Sequence, residues 1–144
     1  EGYVTEGETM VKAIRDRYDG EKRNPWNEIE CGSNYARSMA SYALMPIYSG
    51  FTFDMTRKYI GFAPILNEGK YLFSVSDSWG RVEFCEGNYR IAVLGEPLTL
   101  RSVAIPSAMN VTSVTVDGIP IDFACVDGEI VFGDMVISRE LCLR

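Results

Sequence analysis

The spacing of hydrophobic positions along this chain changes near residue 50. Over the first fifty residues Val4, Met10, Val11, Ile14 and Tyr18 recur at intervals that gather on one face of a helix. Thr5 followed by Glu8 has the S/T-x-x-E form of a capping box at its start, and Gly20 stands where it would stop. After the polar stretch from Glu21 to Gly32, a second helix is predicted from Ser33 or Asn34 to Tyr48, with Gly50 as its C-terminal stop. Ala36, Ser38, Ala40, Ser41 and Ala43 leave room for close backbone approach, while Tyr35, Met39 and Tyr42 supply bulk. Pro46 bends or loosens the last turn, because it lacks a backbone donor and clashes with the turn before it. Two such helices cannot bury this much apolar surface alone. The expectation for residues 1–50 is an antiparallel helical hairpin packed against further helices.

From Phe51 onward the period is two. Phe51-Thr52-Phe53, Tyr59-Ile60, Tyr71-Leu72-Phe73, Val82-Glu83-Phe84 and Tyr89 to Leu94 are short alternating runs. Asp117-Gly118, between Val111 to Val116 and Ile119 to Phe123, is the strongest hairpin signal, and Asp127-Gly128 before Ile130 to Phe132 is a second. Leu98 to Ile105 and Ser138 to Arg144 complete a set of roughly eight to ten strands at the spacing of a sandwich. The predicted class is therefore α+β: a helical hairpin over 1–50 followed by an antiparallel, sandwich-like β domain over 51–144.

Charge and composition narrow the partners. The 144 residues are 47% apolar and 24% charged, ordinary for a globular domain. A formal net charge of −6 without a Lys/Arg cluster argues against nucleic acid. No run of 18 apolar residues is present to span a membrane, and the start has no signal-type segment. The first residue is Glu1, which fits a piece of a longer chain. Cys31, Cys85, Cys125 and Cys142 lie far apart, and there is no histidine, so zinc-type spacing is excluded and no metal or other cofactor is expected. Free thiols in a reducing, cytoplasmic compartment are the expectation.

Chemistry concentrates in the connection between the two predicted helices. Arg23 to Ser38 holds Trp26, Asn27, Glu28, Glu30, Asn34, Tyr35 and Arg37. A sugar site uses this mixture: an aromatic face under the ring's C–H groups, and carboxylate or guanidinium groups that take adjacent hydroxyls in pairs. A purely structural account uses the same residues: Glu28 and Glu30 favour the positive end of a helix, Trp26 plugs a core and Arg37 pairs with a neighbour. Glu28 and Glu30 do not suit the acid and nucleophile of a retaining glycosidase, which flank the scissile bond at about 5 Å.

Arg17-Tyr18-Asp19-Gly20, Arg23-Asn24-Pro25-Trp26-Asn27-Glu28-Ile29-Glu30-Cys31-Gly32 and Tyr35-Ala36-Arg37-Ser38-Met39-Ala40-Ser41 together resemble the last helical hairpin of glycoside hydrolase family 116. That family includes β-glucosidases, β-xylosidases and non-lysosomal glucosylceramidases. The resemblance covers about residues 1 to 65. It implies that the hairpin closes a toroid of six helical hairpins, and that the Glu nucleophile and Asp acid/base of retaining hydrolysis lie upstream. It further implies that Glu28 and Arg37 contact glycone hydroxyls of a β-linked glycoside, with Trp26, Asn27, Glu30 and Tyr35 supporting the loop. On this reading the chain is catalytically incomplete, and its partners are the rest of a parent chain and that chain's substrate.

In the strand-rich tail the resemblance thins. Ser76-Asp77-Ser78-Trp79-Gly80 after Phe62-Ala63-Pro64 is similar to the segment that comes after the toroid in extended bacterial members. The residues themselves suggest a turn plus a core Trp79, with Asp117 and Asp127 explained by their turns. Two roles compete for this half, a carbohydrate-binding module and a structural cap or oligomerisation surface. A row of exposed aromatics on one sheet face marks the first, and a covered apolar patch the second.

Overall fold

The structure, a computed structural model, describes residues 2–17, 21, 44–66, 68–106 and 108–144. The chain divides into two compact units, Glu1–Ile47 and Tyr48–Arg144. The second is a mostly β, two-sheet sandwich.

In the first unit α1 spans Val4–Arg15. Thr5 is not its cap. Tyr3 occupies the N-cap position without a side-chain hydrogen bond, so Thr5 falls inside the first turn, and Thr9 donates its hydroxyl to the Thr5 carbonyl. The helix also ends before the predicted Gly20, with Asp16 as C-cap held by Lys12 at 2.6 Å. The expected buried face is not formed: Val4, Gly7 and Val11 are half-buried, Met10 and Ile14 are exposed, and no residue of the helix is buried. A second described helix, α2, spans Leu44–Ser49 and contains Pro46 at its third position. Gly50 follows with φ +57°, the left-handed conformation expected of a C-terminal stop. The toroid lies outside what these residues describe.

Among the described residues the sandwich contains eleven strands. Sheet 1 has the order β1(Thr52–Asp54), β2(Tyr59–Gly61), β6(Leu98–Ala104), β10(Glu129–Ile137), β9(Ala124–Val126). Sheet 2 has the order β3(Gly69–Val75), β4(Ser78–Cys85), β5(Asn88–Val93), β11(Glu140–Leu143), β7(Val114–Val116), β8(Ile119–Ile121). Every pairing is antiparallel except β2 with β6, which run parallel with Ile60 beside Val103. Residue alternation places one face of each sheet in a common core. Phe73, Val82, Phe84, Ile91 and Leu141 of sheet 2 meet Ile60, Leu98, Leu100, Val103, Ile130 and Ile137 of sheet 1 in one cluster. Burial of these aliphatic and aromatic side chains, each contributing on the order of 2 kcal/mol, is the main force holding the sheets face to face.

The register between β6 and β10 breaks once. Leu98 and Leu100 face the core on β6, then Val103, while β10 buries Ile130 and Phe132 and then Ile137. Phe132-Gly133-Asp134 forms a bulge opposite Arg101, and the register shifts between Val131 and Met135. The bulge turns the Asp134 carboxylate outward, where Arg101 donates to it at 2.9 Å and Lys58 pairs with it. Those two cations hold the Asp134 carboxyl below the usual carboxylate range, Lys58 most strongly.

Both predicted Asp-Gly hairpins form. Asp117-Gly118 joins β7 to β8 and Asp127-Gly128 joins β9 to β10, with positive φ at both residues of each pair, the primed geometry that matches strand twist. Asp127 does no more than turn the chain among the contacts described. Asp117 does more. Its carboxylate accepts the backbone N–H groups of Ser138, Arg139 and Glu140 at 2.8–3.0 Å, pinning the β10–β11 connection to the β7–β8 turn. Burial alone raises this carboxyl, but the three backbone donors outweigh it and leave Asp117 below its ordinary value.

Candidate functional site

Trp26, Asn27, Glu28, Glu30, Tyr35 and Arg37 lie outside the described residues, as does Cys31. Within the sandwich the structure brings together two groups of polar side chains that periodicity alone does not single out.

The larger group lines a cleft of about 640 Å³ on sheet 2, within the size range of small-ligand sites. Its apolar part comes from Phe84 and Tyr89, whose rings stack at 5.7 Å, with Tyr71 stacked on Phe84 at 5.5 Å. Its polar part is a cross-strand ladder. Lys70, Glu83, Arg90 and Cys142 lie side by side on adjacent strands, because each pair is in register: Lys70 with Glu83, Glu83 with Arg90, Arg90 with Cys142. Glu83 has Arg81 at 2.7 Å and both Lys70 and Arg90 at 3.7 Å. Arg90 reaches on to Glu140 at 2.7 Å, and that hydrogen-bonded partner raises the guanidinium above its ordinary value. Cys85 opens onto the same cleft. Desolvation by its surroundings, Glu86 and Glu68 all push its thiol up, the opposite of what a nucleophilic cysteine needs.

The smaller group borders a hollow of about 370 Å³ on sheet 1. Glu129 accepts from Arg57 at 3.0 and 3.3 Å and from the buried Ser102 hydroxyl at 2.8 Å. Arg57 lies over the Tyr59 ring at 5.3 Å. At the start of this connection Asp54 accepts from Thr56, which lowers its carboxyl below the ordinary range.

Chemically, both groups are ion-paired lattices. A retaining glycosidase needs one carboxyl kept protonated by apolar surroundings and a second about 5 Å away across an open gap. Glu83 and Glu129 instead meet guanidinium groups directly. Among the described residues no cluster of three or more Cys, Asp or Glu is arranged to hold a metal ion, and Cys85, Cys125 and Cys142 are free thiols.

Trp79 corrects the sequence reading. It is 47% exposed on the outer face of sheet 2, not a core residue. The alternation that buries Ser78, Gly80, Val82 and Phe84 points Trp79, Arg81, Glu83 and Cys85 outward. The indole rests on Gly95: a Cβ added there meets Trp79 Cδ1 at 2.5 Å, so only glycine leaves room for the ring. The signal was available in the phase of the strand, since Trp79 is out of step with Val82 and Phe84.

No protein-family model matches the chain, and no curated protein matches it either. No described helix is long and apolar enough to cross a membrane.

Proposed function

We propose that this chain is the C-terminal part of a family 116-like retaining β-glycosidase, in which Glu28 and Arg37 bind the glycone while the nucleophile and acid/base come from upstream in a parent chain. The observation that carries this reading is the run from Arg23 to Ser41, whose Trp, Cys and Gly content makes a chance match with the family's last hairpin improbable. The roles follow from the groups themselves. The Glu28 carboxylate accepts from two adjacent hydroxyls, and Arg37 donates to hydroxyls while balancing that charge. Contacts that tighten as the ring flattens toward an oxocarbenium-like transition state raise rate as well as affinity.

The β domain takes the role of support. Trp79 is the one exposed aromatic on the outer face of sheet 2 among the described residues, rather than one of a row, which favours a structural part over a carbohydrate-binding module. The ion-paired state of Glu83 and Glu129 fits a domain without hydrolytic chemistry of its own.

Kinetics of the parent enzyme test the reading. Glu28→Gln or Arg37→Ala is expected to lower kcat/KM more than tenfold on a chromogenic β-glycoside, about 1.4 kcal/mol or more of transition-state binding. The chain alone is expected to be inactive on the same substrate. Unchanged kinetics with a lowered Tm would assign both residues to loop structure, and turnover by the isolated chain that disappears in Glu28→Gln would refute its catalytic incompleteness.

A further inference from the structure

The tripeptide Val-Asp-Gly occurs twice, at Val116-Asp117-Gly118 and Val126-Asp127-Gly128, and both copies turn the chain in the same way. Asp117 and Asp127 each have φ +50°, and the glycines after them have φ +86° and +82°. Aspartate before glycine is a chemically labile pair, because a residue without Cβ leaves its backbone nitrogen open to the carboxyl carbon of the residue before it. With local sequence and backbone matched, only the surroundings distinguish the two sites. Asp117 is half-buried, its carboxylate is held by the Ser138, Arg139 and Glu140 N–H groups at 2.8–3.0 Å, and β7 before it lies inside sheet 2 with Val114 and Val116 buried. Asp127 and Gly128 are exposed, and the Asp127 carboxylate has no hydrogen bond or ion pair among the described residues. The strand before it, β9, is a three-residue sheet edge with every residue exposed, so local opening there gives up little.

We propose that Asp127-Gly128 is a site of spontaneous isoaspartate formation in the folded protein, and that the fold protects Asp117-Gly118 from the same reaction. The Gly128 nitrogen attacks Asp127 Cγ and forms a new C–N bond. The carboxyl hydroxyl leaves with the amide proton as water, and a five-membered succinimide remains. Water then adds at the Asp127 backbone carbonyl carbon, whose bond to the nitrogen breaks and restores the N–H. The chain now runs through Cγ, and the former backbone carbonyl is a free carboxylate. At Asp117 the attack requires Cγ to leave its three donors. The reaction also proceeds through the un-ionised carboxyl, and those donors hold Asp117 below its ordinary value. At Asp127 the product carries one extra backbone carbon across a two-residue turn, so Val126 loses its register with Glu129 and β9 is released from β10. None of this depends on the glycosidase reading.

Peptide mapping of the whole folded chain after weeks at neutral pH, with electron-transfer fragmentation to place each isoaspartate, tests the proposal. Freeing Asp117 forfeits three hydrogen bonds, so conversion at Asp127 is expected to exceed that at Asp117 by more than about tenfold. In denaturant the two sites are expected to react alike. Asp127→Glu is expected to abolish conversion at that position, because the six-membered ring closes far more slowly. The variant keeps the turn, since Glu86-Gly87 already adopts it in this chain with φ +51° and +83°. Converted chains are expected to exchange amide hydrogens of the β9–β10 pairing faster than Asp127→Glu chains incubated beside them. Equal conversion at both sites in the folded chain, no conversion at Asp127, a preference that survives denaturant, or unchanged exchange in converted chains would each overturn the proposal.

Discussion

Helix α1 and strand β4 are both amphipathic in sequence, and they end in opposite states. In β4 the alternation is converted into burial: Ser78, Gly80, Val82 and Phe84 are buried, and the residues between them face water or ion partners. In α1 the helical spacing of Val4, Met10, Val11 and Ile14 is real, yet none of them is buried. Period sets the element and the direction in which each side chain points. Burial depends on what is packed opposite, and β4 has the whole of sheet 1 across the core. Helix stability comes mostly from such packing rather than from intrinsic propensity.

That contrast gives a graded set of substitutions. Leu141→Ala, at a fully buried position of β11, is expected to cost about 2–5 kcal/mol in denaturant unfolding, since it removes apolar contacts and leaves a cavity. Asp117→Ala comes next, at about 1–3 kcal/mol, because three backbone donors lose their acceptor. Its effect depends on pH in a defined sense. The folded carboxyl sits below its ordinary value of 3.8, so the stability it contributes is present above that value and is lost as pH falls through the lower folded one. Asp117→Ala is therefore expected to show a shallower loss of stability below pH 3.8 than the unaltered chain, in acid titrations of the unfolding midpoint. Asp54 and Asp134 act with the same sign, but Asp54 is only half-buried and Asp134 is exposed, so solvent screening makes their share small. Ile14→Ala in α1 stands last, within about 0.5 kcal/mol of no change. If it matched Leu141→Ala, the difference between the two regions would be refuted.

Much of the sandwich was legible in the sequence because local chemistry dictates it. Asp117-Gly118 and Asp127-Gly128 announce primed turns, and the alternation of Tyr89 to Leu94 and Val82 to Phe84 announces half-buried strands. The Ser76-Asp77 and Glu86-Gly87 hairpins carry the same left-handed geometry at Ser76 and Glu86, but serine and glutamate rarely signal it. The Phe132–Asp134 bulge and the parallel seat of β2 against β6 were not legible, since each is decided by a partner strand far along the chain. Thr5 misled because capping depends on where the backbone turns helical, and Tyr3 takes the cap position two residues before that hydroxyl. Of the site, the Lys70–Glu83–Arg90 ladder had an outline in alternating charges, but its register belongs to the fold. The proposed sugar contacts rest on the hairpin motif alone.

The parallel pairing of β2 with β6 has a consequence for the order of assembly. The whole of β3, β4 and β5, which belong to the other sheet, lies between those two strands in sequence. Closing that loop costs more chain entropy than closing any of the tight hairpins, and the cost is met before the contacts reward it. The β3–β4–β5 meander is thus positioned to nucleate, and sheet 1 to be completed late by capture of β2. Until β2 is captured, Ile60 and Phe62 lack their partners in the core and stay open to solvent, which makes that stage prone to aggregation.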